Sequence, residues 1–330
     1  MKRDEGVRLL WQGKTSVFDL PEPQAQVLRS LLVAEDGRGK LAVGDNRAGL
    51  RAMLPELSGQ VTLAYMDPPF LTNRVFEATV RGPKKAREKT FAFDDHWASR
   101  GAYLEALGQR LVLVRELLAP HGSVVVHIDS RTSHYVKVLC DEIFGDDAFA
   151  SEIIWRYRRW PTRTPNFQRV HDVLLRYRKD PKVAPRWNQP YEPLAASTIA
   201  TWGTNKQRAV FEEDGRRARS STTEEATKGV PMGDVWDIGV IAPVSRERTG
   251  YPSQKPEALL ARIIESLSNP GEIVLDPYAG SGTTLAVAAR LGRVFVGMDA
   301  SDVAVATATK RLSALGIRLV DSATLQKKSA

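Results

Sequence analysis

The sequence predicts an α/β fold: a mostly parallel sheet with helices on both faces, plus a small polar insertion. Three observations carry this expectation. Short apolar runs recur, each ending in an acid or a turn. Stretches of helical periodicity follow them. Residues 180–250 then break the rhythm, being polar with scattered Gly, Pro and Thr. Strands buried on both faces read as near-continuous apolar runs, and their alternation with helices favours parallel pairing. With 330 residues, 42% of them apolar, the chain can bury a full core.

Lys40-Leu41-Ala42-Val43-Gly44-Asp45-Asn46 reads as a strand closing in a turn, and Val61 to Asp67 does the same before Pro68-Pro69-Phe70. A helix is expected over about 98–118, where Leu104, Leu107, Leu111, Val114 and Leu118 recur at spacings of three and four. Pro120-His121-Gly122 ends it, and Ser123 to Asp129 is the next strand. His134 to Phe144 is helical and stops at Gly145. Near the end come strand 273–276, a glycine-rich turn, helix 283–291, strand 294–299 and helix 302–314.

Several classes are excluded. A single cysteine, Cys140, cannot build a disulfide framework, a cysteine-ligated zinc site or an iron–sulfur cluster. It sits inside a helical pattern and reads as a packed core residue. Five scattered histidines lack i,i+4 pairing, so no metal site is expected. Apolar runs are too short to span a bilayer, and Met1 to Gly6 lacks the apolar core of a secretory signal. A cytoplasmic protein without membrane contact is the expectation.

The formal net charge of +8 is unevenly placed. Residues 155–190 carry ten basic side chains against two acidic ones, an excess equal to that of the whole chain. Aromatics are interleaved with them, as in Trp155-Arg156-Tyr157-Arg158-Arg159-Trp160. Arg163 and Phe167 continue the pattern. A second excess follows Phe70 and includes Arg74, Arg81, Lys84 and Lys85. Charge runs are ordinarily solvated faces, but cations beside rings are what phosphate contact and base stacking require. Nucleic acid is the favoured partner.

Two turns carry chemistry. Asp276-Pro277-Tyr278-Ala279-Gly280-Ser281-Gly282-Thr283-Thr284 joins a strand to a helix, and its glycines let backbone N–H groups approach a ligand. Asp299 follows Gly280 by 19 residues, near the spacing at which an acid meets a ribose hydroxyl in nucleotide-binding βαβ units. Thr283 stands where a triphosphate loop has lysine, and Leu285 where a dinucleotide fingerprint has its third glycine. An adenosine-type cofactor is therefore expected, against the plainer reading of a tight strand–helix turn without ligand. The second turn is Asp67-Pro68-Pro69-Phe70. Its prolines have no N–H, so beside the carboxylate the turn offers acceptors only. Such a site suits an exocyclic amine, whose lone pair is freed for attack when both hydrogens are held. Taken alone, the same residues describe a stiff strand terminus.

Asp67-Pro68-Pro69-Phe70 resembles the catalytic motif of amino-group DNA methyltransferases, and the 276–284 turn resembles their cofactor motif. The catalytic motif comes first, an order similar to the permuted β class. Supporting segments are Gly44-Asp45-Asn46, Gly122 to Asp129, Asp141 to Gly145, Ile154-Trp155, His171 to Leu174 and Tyr251 to Pro256. The resemblance covers about 40–314 except the variable stretch near 180–235. It implies a Rossmann-like S-adenosyl-L-methionine-dependent methyltransferase fold that acts on adenine N6 in a flipped-out base of double-stranded DNA. Asp67, Pro68, Pro69 and Phe70 would be catalytic, with Phe70 stacking on the base. Cofactor-binding residues would be Asp45, Asn46, Lys255, Asp276, Tyr278, Gly280, Ser281, Gly282, Thr283 and Asp299. By position Asp299 would hold the ribose, Asp45 would lie near the adenine ring and Lys255 near the carboxylate. Arg74, Arg81, Lys84, Lys85, Arg156, Arg158, Arg159 and Arg163 would contact DNA. Residues 1–179 would form the catalytic part with an N-terminal extension, 180–250 the target-recognition region and 251–330 the cofactor part. A homodimer and a cognate restriction endonuclease are candidate partners.

Other readings explain less. Cytosine carbon-5 methylation needs a cysteine nucleophile that Cys140 does not provide. Amino methylation of cytosine N4 uses similar geometry and is the alternative, though Ser-Pro-Pro-Tyr is the more usual motif there. An NAD-dependent oxidoreductase would leave Asp67-Pro68-Pro69 and the basic stretch idle. A non-enzymatic DNA-binding protein would leave both turns idle. Gln254 and His171 remain further candidates for catalysis.

Overall fold

The computed structural model describes residues 7–16, 18–19, 28–81 and 87–324, with the backbone alone at 80, 81, 87, 202, 207, 209 and 217–222. Two compact units emerge: residues 1–187 with 234–330, and Asn188–Gly233.

In the first unit β1 (Leu28–Ala34) and β2 (Gly39–Gly44) lead into α1 (Asn46–Leu57). The Asp45 carboxylate caps this helix by accepting from Arg47 and Ala48 N–H groups at 2.9 and 3.1 Å. Then come β3 (Val61–Met66) and a hairpin of β4 (Val75–Arg81) and β5 (Arg87–Asp94). After them follow α2 (Arg100–Leu117), β6 (Leu118–Ile128), α3 (Ser133–Phe144), β7 (Phe149–Arg156) and β8 (His171–Arg178).

The second unit consists of β9 (Tyr191–Glu192), α4 (Ala196–Trp202), β10 (Asn205–Phe211), β11 (Arg217–Ala226) and β12 (Val230–Pro231). Antiparallel pairs β10–β11 and β9–β12 build it. The chain returns to the first unit through β13 (Val235–Asp237), α5 (Glu257–Leu267), β14 (Ile273–Asp276), α6 (Thr283–Arg290), β15 (Val294–Asp299), α7 (Asp302–Ala314) and β16 (Leu319–Asp321). Residues 180–187 and 234–250, grouped by polarity with the insertion, belong to the first unit: β13 pairs in parallel with β7, and Arg186 binds the His121 carbonyl and Glu272.

Ten described strands form one sheet in the order β13-β7-β8-β6-β3-β14-β15-β2-β1-β16. The five central strands, β6 to β2, are parallel. Toward both margins the pairing turns antiparallel at β8 and β1. All six residues of β3 are buried, as a strand covered on both faces requires. Ala64 and Met66 face the core shared with α1, α2 and α3, while α5, α6 and α7 pack as a second group. Cys140 is fully buried in α3, and burial pushes its thiol well above the usual range. It is a core residue. No helix among the described residues is long and apolar enough to cross a membrane.

Candidate active site

Parallel strands put their carboxyl ends on one edge, and ligands of open α/β sheets bind there. On this edge the neighbours β3, β14, β15 and β2 end at Asp67, Asp276, Asp299 and Gly44-Asp45. Chain connectivity separates β3 from β14 by some two hundred residues, yet pairing of Leu63 with Val274 sets the two turns side by side. Between them lies a cavity of about 390 Å³, within the usual span of small-molecule sites.

Every residue expected at the catalytic turn lines this cavity, as does every expected cofactor residue except Gly282. Gly282 instead has φ +73° and sits against α7, where an added Cβ would come within 2.6 Å of the Ala308 Cβ. Close helix packing, rather than ligand approach, requires that glycine. Gly280 (φ +50°) faces the Tyr251 ring and donates its N–H to Asp299 Oδ2 at 2.8 Å. Asp276 accepts from the Tyr278 N–H at 2.9 Å. Burial, aided by the charges of Asp67 and Asp299, pushes the Asp276 carboxyl up to about 7. Burial likewise raises Asp299. Arg110 from α2 pairs with Asp45 Oδ2 at 2.9 Å and with Asn46 Oδ1 at 2.5 Å. Asn46 in turn donates to the Pro277 carbonyl at 2.8 Å, joining the first turn of α1 to the glycine turn.

Lys255, expected near a cofactor carboxylate, lines the cavity and is engaged with the catalytic turn. Its ammonium pairs with Asp67 Oδ2 and stands 5.2 Å from the centre of the Phe70 ring. Gln254 spends its amide on its own loop, accepting from Thr249 and donating to the Glu247 carbonyl. Two buried polar atoms of cavity-lining residues, Asp67 Oδ1 and the Tyr103 hydroxyl, have no hydrogen-bond partner among the described residues.

Several site residues escaped the sequence reading. Asp95, with 0% exposure, accepts from the N–H groups of Leu71 and Thr72, the Thr72 hydroxyl and the Trp97 indole. It thereby holds the chain just past Phe70, where Leu71 and Asn73 take positive φ of 57° and 54°. Phe76 and Phe93 stack across the β4–β5 hairpin at 4.6 Å and continue to Tyr251 at 6.5 Å, lining the cavity with rings. The period-two alternation of residues 76–80 is the sequence signal for that hairpin.

The basic stretch divides. Arg158, Arg159 and Arg163 are exposed between β7 and β8, with Trp160 at 88% and Phe167 at 98% exposure. Arg156 is exposed but paired with Asp237, and Arg74 is exposed before β4. Beyond 170, three of the basic side chains serve the fold rather than an open surface. Arg176 is buried and lies over the Trp187 ring, Lys179 bonds the Arg115 carbonyl, and Arg186 pairs with Glu272. Lys84, Lys85 and the Arg81 side chain lie outside the described residues.

A glycine turn and an Asp-Pro-Pro-Phe turn sharing one cavity define a nucleotide-cofactor transferase. The chain belongs to the DNA methylase family, whose model matches residues 61–310. It is a methyltransferase, and the methyl donor of that family is S-adenosyl-L-methionine. Type II methyltransferase M.EcaI of Enterobacter cloacae is 28% identical, over 82% of this chain and 68% of its own. DNA adenine methyltransferase YhdJ of Escherichia coli K12 is 27% identical, over 82% and 81%. Among solved structures, the M1.HpyAVI–SAM complex is similar with a TM-score of 0.50 and 20% identity, over 82% of this chain and 98% of that one. The cytosine-N4-specific PvuII DNA methyltransferase has a TM-score of 0.54 and 16% identity, over 83% and 86%. These two likenesses concern the fold.

Proposed function

We propose that the protein methylates the N6 amino group of adenine in a base flipped out of double-stranded DNA. The observation that carries this reading is Asp67 Oδ1, a buried acceptor without a partner at the mouth of an acceptor-only turn. An incoming amine donates to it, while Lys255 keeps the other carboxylate oxygen engaged. The Phe70 ring beside it is the platform for the base. Adenine rather than cytosine is favoured by the Asp-Pro-Pro-Phe residues and by the named activity of the YhdJ relative.

The cavity suits S-adenosyl-L-methionine. Asp45 is paired with Arg110, Asp67 with Lys255 and Asp94 with His96, and Asp95 is engaged by N–H and O–H donors. Asp276 and Asp299, whose carboxyls burial raises, are the remaining acids on the cavity wall, and a cationic ligand would favour their ionised forms. Asp299 would hold the ribose, Asp45 and Asn46 would lie at the adenine end, and the 278–281 turn would meet the methionine part. When bound, the sulfonium supplies an activated methyl group and a neutral leaving group. The chain's own part is to bind and orient: Asp67 holds the amine and is placed to take its proton, and the ring ladder excludes water. Arg158, Arg159 and Arg163 are proposed phosphate contacts, and Asn188–Gly233 the target-reading unit. The permuted motif order supports the β class, and the name of the Enterobacter relative supports a restriction-modification setting.

Asp67→Ala tests the reading. Methyl transfer to DNA is expected to fall by at least about a thousandfold while cofactor affinity changes little. Robust transfer by the variant would sink the mechanism.

A further inference from the structure

Behind the catalytic turn lies a buried polar chain that the reaction does not by itself require. The Tyr65 hydroxyl meets His127 Nδ1 at 2.7 Å, and His127 Nε2 meets Asp172 Oδ2 at 3.3 Å. The other oxygen of Asp172 accepts from the Tyr157 hydroxyl at 2.9 Å, and Tyr157 accepts from Arg159 at 3.2 Å. Tyr65, His127 and Asp172 come from β3, β6 and β8, which are adjacent in the sheet, and Tyr157 follows β7. His127 has 0% exposure, and Tyr65 and Tyr157 are buried.

One proton arrangement satisfies every member. An ionised carboxylate only accepts, so His127 carries its proton on Nε2 and receives the Tyr65 hydroxyl on Nδ1. Burial is the largest influence on Asp172 and disfavours its ionisation, but the contacts with His127, the charge of Lys255 and the Tyr157 hydroxyl together outweigh it and hold the carboxyl low. Rings reinforce the chain: His127 contacts Phe70 at 5.8 Å and Trp155 at 5.5 Å, and Trp155 contacts Tyr157 at 4.9 Å. Its inner end thus touches the catalytic turn, since Tyr65 lies two residues before Asp67 and lines the cavity. Its outer end is the exposed Arg159, between Arg158 and Arg163 on the loop joining β7 to β8. Well-packed apolar residues would serve the fold at least as well as a buried network of this kind.

We propose that Tyr65, His127, Asp172 and Tyr157 are positioning residues that tie DNA contact at Arg159 to the placement of Phe70 and the end of β3. This rests on the DNA-amine reading above. A phosphate that engages Arg159 changes its hold on Tyr157, and the shift passes through Asp172 and His127 to the ring that receives the base. Such coupling needs a demonstrated energetic link rather than proximity alone.

Tyr157→Phe and Tyr65→Phe each delete one hydroxyl at opposite ends of the chain with little loss of packing. In assays of methyl transfer from labelled S-adenosyl-L-methionine to DNA, each is expected to lower kcat about tenfold, with cofactor affinity kept within about twofold. The double variant should lose no more than the worse single one, because a chain broken twice is no more broken. Arg159→Ala, at the exposed end, should lower kcat in the wild-type background and add nothing in Tyr157→Phe. Singles with wild-type kcat, losses that multiply in the double variant, or an Arg159→Ala effect confined to the KM for DNA would each overturn the inference. A wild-type protein that transfers no methyl to DNA would overturn the functional reading and this inference with it.

Discussion

Asp95 shows how one buried side chain can set the backbone of a catalytic turn. It satisfies two backbone N–H groups, a hydroxyl and an indole just past Phe70, where two non-glycine residues hold left-handed backbone. Asp95→Asn would turn an amide N–H₂ toward donors. A loss of about 2–3 kcal/mol in urea unfolding is expected, with kcat falling further than cofactor affinity. Asp276 gives a pH signature. Its carboxyl sits at about 7 in the folded protein, above its unfolded value, so the folded state binds the proton more tightly. Its favourable contribution is full below about pH 4 and is lost as the pH rises through about 7. Relative to Asp276→Asn, the wild type should therefore lose stability across that window in denaturant titrations. A parallel pH profile for the two proteins would contradict the raised carboxyl. None of this was legible in the sequence, because a carboxylate's environment is supplied by distant segments: Asp95 works on Leu71 and Thr72, and Asp276 feels Asp67.

The strands that position the site were readable. β2, β3, β6, β14 and β15 are buried runs ending in turn residues, and α2, α3, α6 and α7 fall within two residues of their expected bounds. Periodicity carries such elements because their burial is nearly complete. The β4–β5 hairpin is hidden in the sequence because its alternation is short and overlaps a basic charge run, although it brings Phe76 and Phe93 to the cavity. Gly282 was assigned to the ligand because a glycine-rich turn does not reveal which glycine meets a helix. Gly282→Ala tests the packing role: α6 would be forced off α7, and about 2 kcal/mol of stability should be lost, seen as a lower Tm. An unchanged Tm would show that the contact is not needed.

For the molecule as a whole, charge pointed to nucleic acid and the resemblance of the two turns to amino-group DNA methyltransferases pointed to methyl transfer, and membership of the DNA methylase family agrees. Charge did not reveal its own division, since an arginine in β8 and one in an exposed loop look alike until pairing is known: Arg176 is buried over Trp187, while Arg158 and Arg163 stay exposed. The two ends of the chain build one site because β3 and β14 are neighbours in the sheet. Asp67 Oδ1 then stands as an unmatched acceptor beside a cavity suited to the methyl donor. The measurement that tests this most directly is incubation of the protein with labelled S-adenosyl-L-methionine and double-stranded DNA, followed by digestion to nucleosides. Label in N6-methyladenine is the expected result; label in N4-methylcytosine, or none in DNA, would contradict it.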